Sequence, residues 1–193
     1  MYQFSYIPDL PYGFFEPEIN AAAAGLADAD RWLVNWLRRD AECRRARPGW
    51  VHSCLSGLLL AHGRLFTPAP WPDGGPPPGE PERCFIEAVS WAWASGGELA
   101  YVEGWAWDVA FPVEHAWCTG SDGVVRDLTW PRPGAAYLGL PVAAEAAAAL
   151  MGEHGGPLLH ANGLAGPLAL SWMREGVPAG LLVDVGRPLP VDG

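Results

Sequence analysis

The chain has 193 residues, of which half are hydrophobic and 18% charged, and its formal net charge is −10. That length supports a core of its own and that balance argues against disorder. Its basic residues are all arginine, outnumbered 22 to 12 by acids, so no basic stripe is available for nucleic acid or an anionic membrane surface. The reading is one domain over residues 1–193, divided into an N-terminal helical part (1–66), a proline-rich loop (67–83), a central helix with strands (84–130) and a C-terminal part (131–193).

Residues 1–17 are aromatic and broken by proline, which predicts an irregular arm. They carry no basic leader and no clean apolar run, so neither a signal peptide nor a membrane span is expected, and the protein is read as cytoplasmic. Asn20 can cap a long helix over about 21–46, with Leu26, Leu33, Trp36 and Leu37 on its apolar face. Asp28 and Asp30 sit early and Arg38, Arg39, Arg44, Arg45 and Arg47 late, which suits the helix dipole; Pro48-Gly49 ends the helix. The apolar run from Trp50 to Phe66, holding His52, Cys54 and His62, predicts a second helix. Seven prolines in 67–83 then demand an extended, polyproline-like loop.

Pro81 pushes Glu80 towards extended backbone, and Phe85, Ile86, Ala88, Val89, Trp91 and Ala92 recur at helical spacing, so a helix starts at about residue 83. Cys84 then stands in its first turn, where unpaired N–H groups and the neighbouring Arg83 favour a thiolate. After the break at Ser95-Gly96-Gly97, Leu99 to Asp108 reads as a strand bearing Tyr101, Glu103, Trp105 and Trp107; Glu103 is read as a charge at the strand's solvent face, with an acid that supports the site or binds substrate as the alternative. Val113 to Cys118 alternates as a strand: Val113, His115 and Trp117 share one face, Glu114, Ala116 and Cys118 the other. His115 among apolar neighbours must find a hydrogen-bond partner. Asp127, in the apolar run 124–130, is the natural one.

The turn between those strands decides whether they can meet. A two-residue turn at Asp122-Gly123 would put Asp127 on the face of Cys118. A three-residue loop, Ser121-Asp122-Gly123, with Gly123 in the left-handed region, sets Trp117 opposite Asp127 and makes His115 its diagonal neighbour. The second arrangement is the one expected, with positive φ at Gly123 and an Asp127–His115 hydrogen bond. Beyond it, Ala143 to His154 predicts a helix ended by Gly155-Gly156, Leu168 to Glu175 a short helix, and Leu181 to Val185 a last strand. His154 and His160 read as surface or loop residues. Trp91, Trp93, Trp105, Trp107, Trp117 and Trp130 are expected around the Cys84 region.

A cysteine at a helix N-terminus (CFIEAVSWA), then a histidine (PVEHAWC) and an aspartate (VVRDLTW) on successive strands, resembles the transglutaminase-like branch of the papain-like cysteine enzymes. It is also similar to small bacterial and phage proteins with the same Cys…His-Ala-Trp…Asp layout. The resemblance spans about a quarter of the chain. It implies an α+β fold with helices packed on a mostly antiparallel sheet, and a Cys84-His115-Asp127 triad. It further implies amide, ester or thioester hydrolysis or acyl transfer through a thioester, on a peptide or small-molecule acyl substrate. Residues 79–83 lack the glutamine or similar oxyanion donor that papain relatives place before the cysteine. A catalytically inactive binding or scaffold protein on the same fold is therefore the alternative. No cofactor is expected. Cys43, Cys54, Cys84 and Cys118 show no C-x-x-C spacing, and His115 and Cys118 point to opposite faces, so no metal is expected either.

Overall fold

A computed structural model describes residues 27–71, 77–108, 111–161 and 163–190. The N-terminal arm, the Asn20 cap and the first turns of the expected long helix lie outside these residues. Among the described residues the fold is α+β, with five helices and an antiparallel, curled sheet of six strands.

Helix α1 is Asp28–Cys43, and the preceding Ala27 is extended (φ −58°, ψ 151°), so the helix starts later than its apolar spacing suggested. Leu33, Val34 and Leu37 form its buried stripe, and Arg44, just past its end, reaches back to Asp40 at 2.9 Å. The run 50–66 is not one helix. Only Leu55–His62 is helical (α2), and Arg64–Phe66 forms strand β1. The break falls at Gly63, where a Cβ would lie 2.4 Å from the Leu59 carbonyl oxygen, an approach open only to glycine. Cys54 caps α2, its sulfur accepting the Gly57 N–H at 3.3 Å.

Helix α3 is Cys84–Ala94. Cys84, Ala88 and Ala92 are its buried residues, a four-residue spacing of small side chains that lets the helix axis approach the sheet closely. Strands β2 (Ala100–Trp107) and β3 (Pro112–Thr119) pair along their whole length, and the short β4 (Val125–Arg126) follows. The sequence pattern missed β5 (Ala136–Val142), which pairs with both β2 and β1 and is buried at every position. A strand covered on both faces has no alternation to betray it, and Gly139 and Pro141 read as turn residues.

Helix α4 is Ala144–His154, ended by Gly155 in the left-handed region (φ 71°). A two-stranded hairpin, β6 (His160–Ala161) and β7 (Leu164–Ala165), precedes α5 (Pro167–Glu175), and β8 (Arg187–Pro188) completes the sheet. The strand expected over 181–185 is reduced to a single bridge, Leu182 to Val142.

The strand order is β4-β3-β2-β5-β1-β8. The two sides of β1 and β4 come back together: Thr67, just after β1, bridges Val124, just before β4. The sheet therefore wraps round an inner cluster of Phe66, Val102, Ala106, Trp117, Val125 and Tyr137. Its outer face carries Tyr101, Trp107, Ala116, Cys118, Leu138 and Leu140, covered by residues of α1 to α5. Both faces of β2 and β3 are thus buried, which is why polar side chains on them must be satisfied from within.

Candidate functional site

The turn between β3 and β4 is the three-residue one. Cys118 pairs with Arg126 and Thr119 with Val125, and Gly123 has φ 67°. Gly123 N–H donates to the Gly120 carbonyl at 3.1 Å, and Asp122 Oδ1 accepts the Val124 N–H at 3.1 Å. Continued by one residue, this register sets Asp127 opposite Trp117 and diagonal to His115. The two side chains meet: His115 Nε2 lies 2.6 Å from Asp127 Oδ2.

Asp127 is 6% exposed and His115 2%, so the contact is shielded from water. The other carboxylate oxygen, Oδ1, accepts the Thr129 N–H (3.0 Å), the Thr129 hydroxyl (3.2 Å) and the Trp130 N–H (3.2 Å). Tyr137 on β5 donates its hydroxyl to Oδ2 at 3.2 Å and accepts the Gly134 N–H at 2.8 Å. Trp130 stacks on the imidazole, ring centroids 4.2 Å apart and planes 25° from parallel. Thr129 and Tyr137 have no signature in the sequence pattern: Thr129 acts through its backbone N–H and hydroxyl, and Tyr137 sits on the strand that pattern missed.

Burial opposes the imidazolium. The hydrogen bonds and charges of Asp127 and Cys84 outweigh it and raise the His115 pKa to about 9. Burial likewise opposes the Asp127 carboxylate, but the His115 bond and charge and the Thr129 and Trp130 N–H groups bring its pKa below the usual value. Both shifts describe one arrangement, an ion pair with its donors fixed. With Nε2 engaged by Asp127, Nδ1 is the ring nitrogen left for the Cys84 thiol.

Cys84 is the first residue of α3 and is 8% exposed. Four N–H groups of an α-helix's first turn have no intrahelical acceptor, so its backbone surroundings suit an anion. Arg83 contributes less than its position suggests. Its exposed guanidinium is bound by Glu80 Oε2 at 2.7 Å, and that carboxylate offsets its charge. Two residues before the cysteine, Glu82 has φ 67°, an uncommon conformation for a residue with a side chain. The approach is tied down where Gly79 N–H donates to the Leu128 carbonyl at 2.9 Å, beside Asp127.

Glu103 and His160 are not surface residues. Glu103 is fully buried on β2, and His160 is 2% exposed. Glu103 accepts the N–H groups of Leu158 (2.8 Å), Leu159 (2.8 Å) and His160 (3.0 Å), and the Tyr101 hydroxyl at 2.7 Å. His160 Nδ1 is 3.2 Å from the same carboxylate. A carboxylate with that many donors needs no solvent. The His160 ring packs against Trp105 (5.5 Å) and Phe85 (6.2 Å), so this cluster props the first turn of α3.

The tryptophans are more dispersed than the sequence suggested. Trp117 and Trp130 flank His115, but Trp93 is 63% exposed, Trp91 packs on Trp71 and Trp105 on Trp36. Around α2, the Cys54 sulfur caps the helix and His52 turns to His62. Cys118 donates its thiol to the Ala88 carbonyl at 3.1 Å, and burial pushes its pKa far up. No helix among the described residues is long and apolar enough to cross a membrane. No family model matches the chain, and neither a curated protein nor a solved structure matches it.

Proposed function

We propose that the chain is a cysteine-dependent acyl enzyme, a hydrolase or acyltransferase of the transglutaminase-like, papain-like kind. The observation that carries this reading is the buried His115–Asp127 bond of 2.6 Å, together with Cys84 as the first residue of α3. Isolated buried histidines are satisfied by a carbonyl; a carboxylate on one nitrogen and a thiol acting on the same ring is the arrangement that activates a nucleophile.

In this reading Cys84 sulfur attacks the carbonyl carbon of an amide, ester or thioester while its proton resides on His115. The tetrahedral oxyanion is met by the N–H groups of the α3 first turn. Collapse breaks the bond to the leaving group, which takes the proton from His115, and leaves a thioester on Cys84. Water or an amine, deprotonated by His115, then attacks the thioester and releases the thiol. Asp127 holds the ring orientation and balances the imidazolium. Thr129, Trp130 and Tyr137 hold Asp127, and so act through it.

The low exposure of Cys84 and His115 favours the second reading, a binding or scaffold protein that keeps the fold without turnover. Iodoacetamide labelling at near-neutral pH, followed site by site in a mass spectrometer, separates the two. Cys84 is expected to alkylate well ahead of Cys54 and Cys118, with the lead lost in His115→Ala; the exposed Cys43 serves as the reference for an ordinary thiol. Labelling of Cys84 no faster than that of Cys43, and unchanged in His115→Ala, would sink the enzyme reading.

A further inference from the structure

A second pair of histidines meets away from Cys84. His52 lies in the segment before α2, anchored by its N–H donating to the Met173 carbonyl of α5 at 2.8 Å, and His62 is the last residue of α2. Their Nε2 atoms are 3.1 Å apart, with the rings at 90°. Both rings are half-buried. Burial lowers the pKa of both rings, and for His52 the neighbouring His62 adds to the effect.

We propose that His52 and His62 form a two-nitrogen site for a borderline divalent cation of the Zn²⁺, Ni²⁺ and Cu²⁺ class. Two nitrogens each about 2.0–2.1 Å from one tetrahedral ion lie about 3.3–3.4 Å apart, so the pair needs to open by only a few tenths of an ångström. Imidazole nitrogen suits this class of ion and not Mg²⁺ or Ca²⁺, which take oxygen. Water supplies the remaining positions, since among the described residues no group of three or more histidine, cysteine or acidic side chains is placed to hold an ion. Cys54 is close in sequence, but its sulfur is committed to the Gly57 N–H. The two ligands come from separate elements, so a bound ion ties the end of α2, through the 51–52 segment, to the end of α5.

The test is a Zn²⁺ titration followed by calorimetry, on chain whose reactive thiols have been blocked with iodoacetamide so that cysteine does not compete. One saturable site per chain is expected. His52→Ala and His62→Ala should each weaken it by at least about ten-fold, the scale on which even the outer partners of metal ligands act, while His154→Ala leaves it unchanged. Electron paramagnetic resonance of the Cu²⁺-loaded native chain supplies a readout free of any variant and is expected to show coupling to two imidazole nitrogens. No saturable binding, which would leave the pair as a hydrogen bond only, overturns the proposal. So does binding that persists in the doubly substituted chain, or a Cu²⁺ spectrum without imidazole nitrogen.

Discussion

At the scale of single residues, the ionisation of His115 is the property on which most depends. Its pKa in the folded chain, about 9, lies above the ordinary value of 6.5, so its protonation stabilises the fold fully below about pH 6.5 and that contribution is lost as pH rises through 9. A shift of this size corresponds to on the order of 3 kcal/mol. Denaturant melts at pH 6 and pH 9.5 should show a larger fall in stability for the native chain than for His115→Ala; equal falls would mean the imidazolium is not held. Asp127 works in the other direction. With its pKa depressed, the carboxylate stabilises above the ordinary carboxylate range and is lost as pH falls through its folded value. Asp127→Asn keeps the shape and removes the charge. It should return the His115 titration, followed by NMR of the ring protons, towards neutrality, and reduce any Cys84-dependent turnover without abolishing it.

At the scale of elements, two features set the geometry of the pair. The β3–β4 turn depends on Gly123, whose positive φ a side chain adopts only at a cost of roughly 1–2 kcal/mol. A Cβ there would also sit 3.2 Å from Gly186 Cα. Gly123→Ala should therefore lower stability by about that amount and slow the alkylation of Cys84, because a register slip carries Asp127 away from His115. Unchanged alkylation at reduced stability would show that the turn does not govern the pair. The second feature is Glu103, which gathers three N–H groups of 158–160 behind the first turn of α3. Glu103→Ala strands those donors and the Tyr101 hydroxyl in the core. The loss should reach about 3–5 kcal/mol in a urea melt, the range seen when one partner of a buried charged network is removed. A loss under about 1 kcal/mol would place Glu103 nearer to solvent than its burial indicates.

Across the whole molecule, the curled sheet explains why the pair is dry. The face that carries His115 closes on Phe66, Trp117 and Tyr137, and the Thr67–Val124 bridge shuts the curl beside the β3–β4 turn. The opposite face receives the helices, and α3 presses on β3 closely enough for Cys118 to reach the Ala88 carbonyl. His115 and Cys84 therefore belong to different layers. Their meeting depends on α3 beginning where the Pro81 segment delivers it, with Gly79 fastened beside Asp127.

What the sequence determined by itself was local. Pro81 and the apolar spacing after it set the start of α3, and the alternation of 113–118 set which residues share a face of β3 with His115. Each follows from backbone sterics or from a period of two, which neighbours in sequence decide alone. Tertiary structure decided the rest. Whether Glu103 faces water or core depends on what covers β2, and the cover is a segment more than fifty residues later. His160 is buried for the same reason. Strand β5, covered on both faces, has no polar alternation, and the run 50–66 is equally apolar as helix or strand until Gly63 must pass close to Leu59. Tyr137 joins Asp127 only because β5 enters the middle of the sheet, an event of long-range pairing that no local pattern encodes.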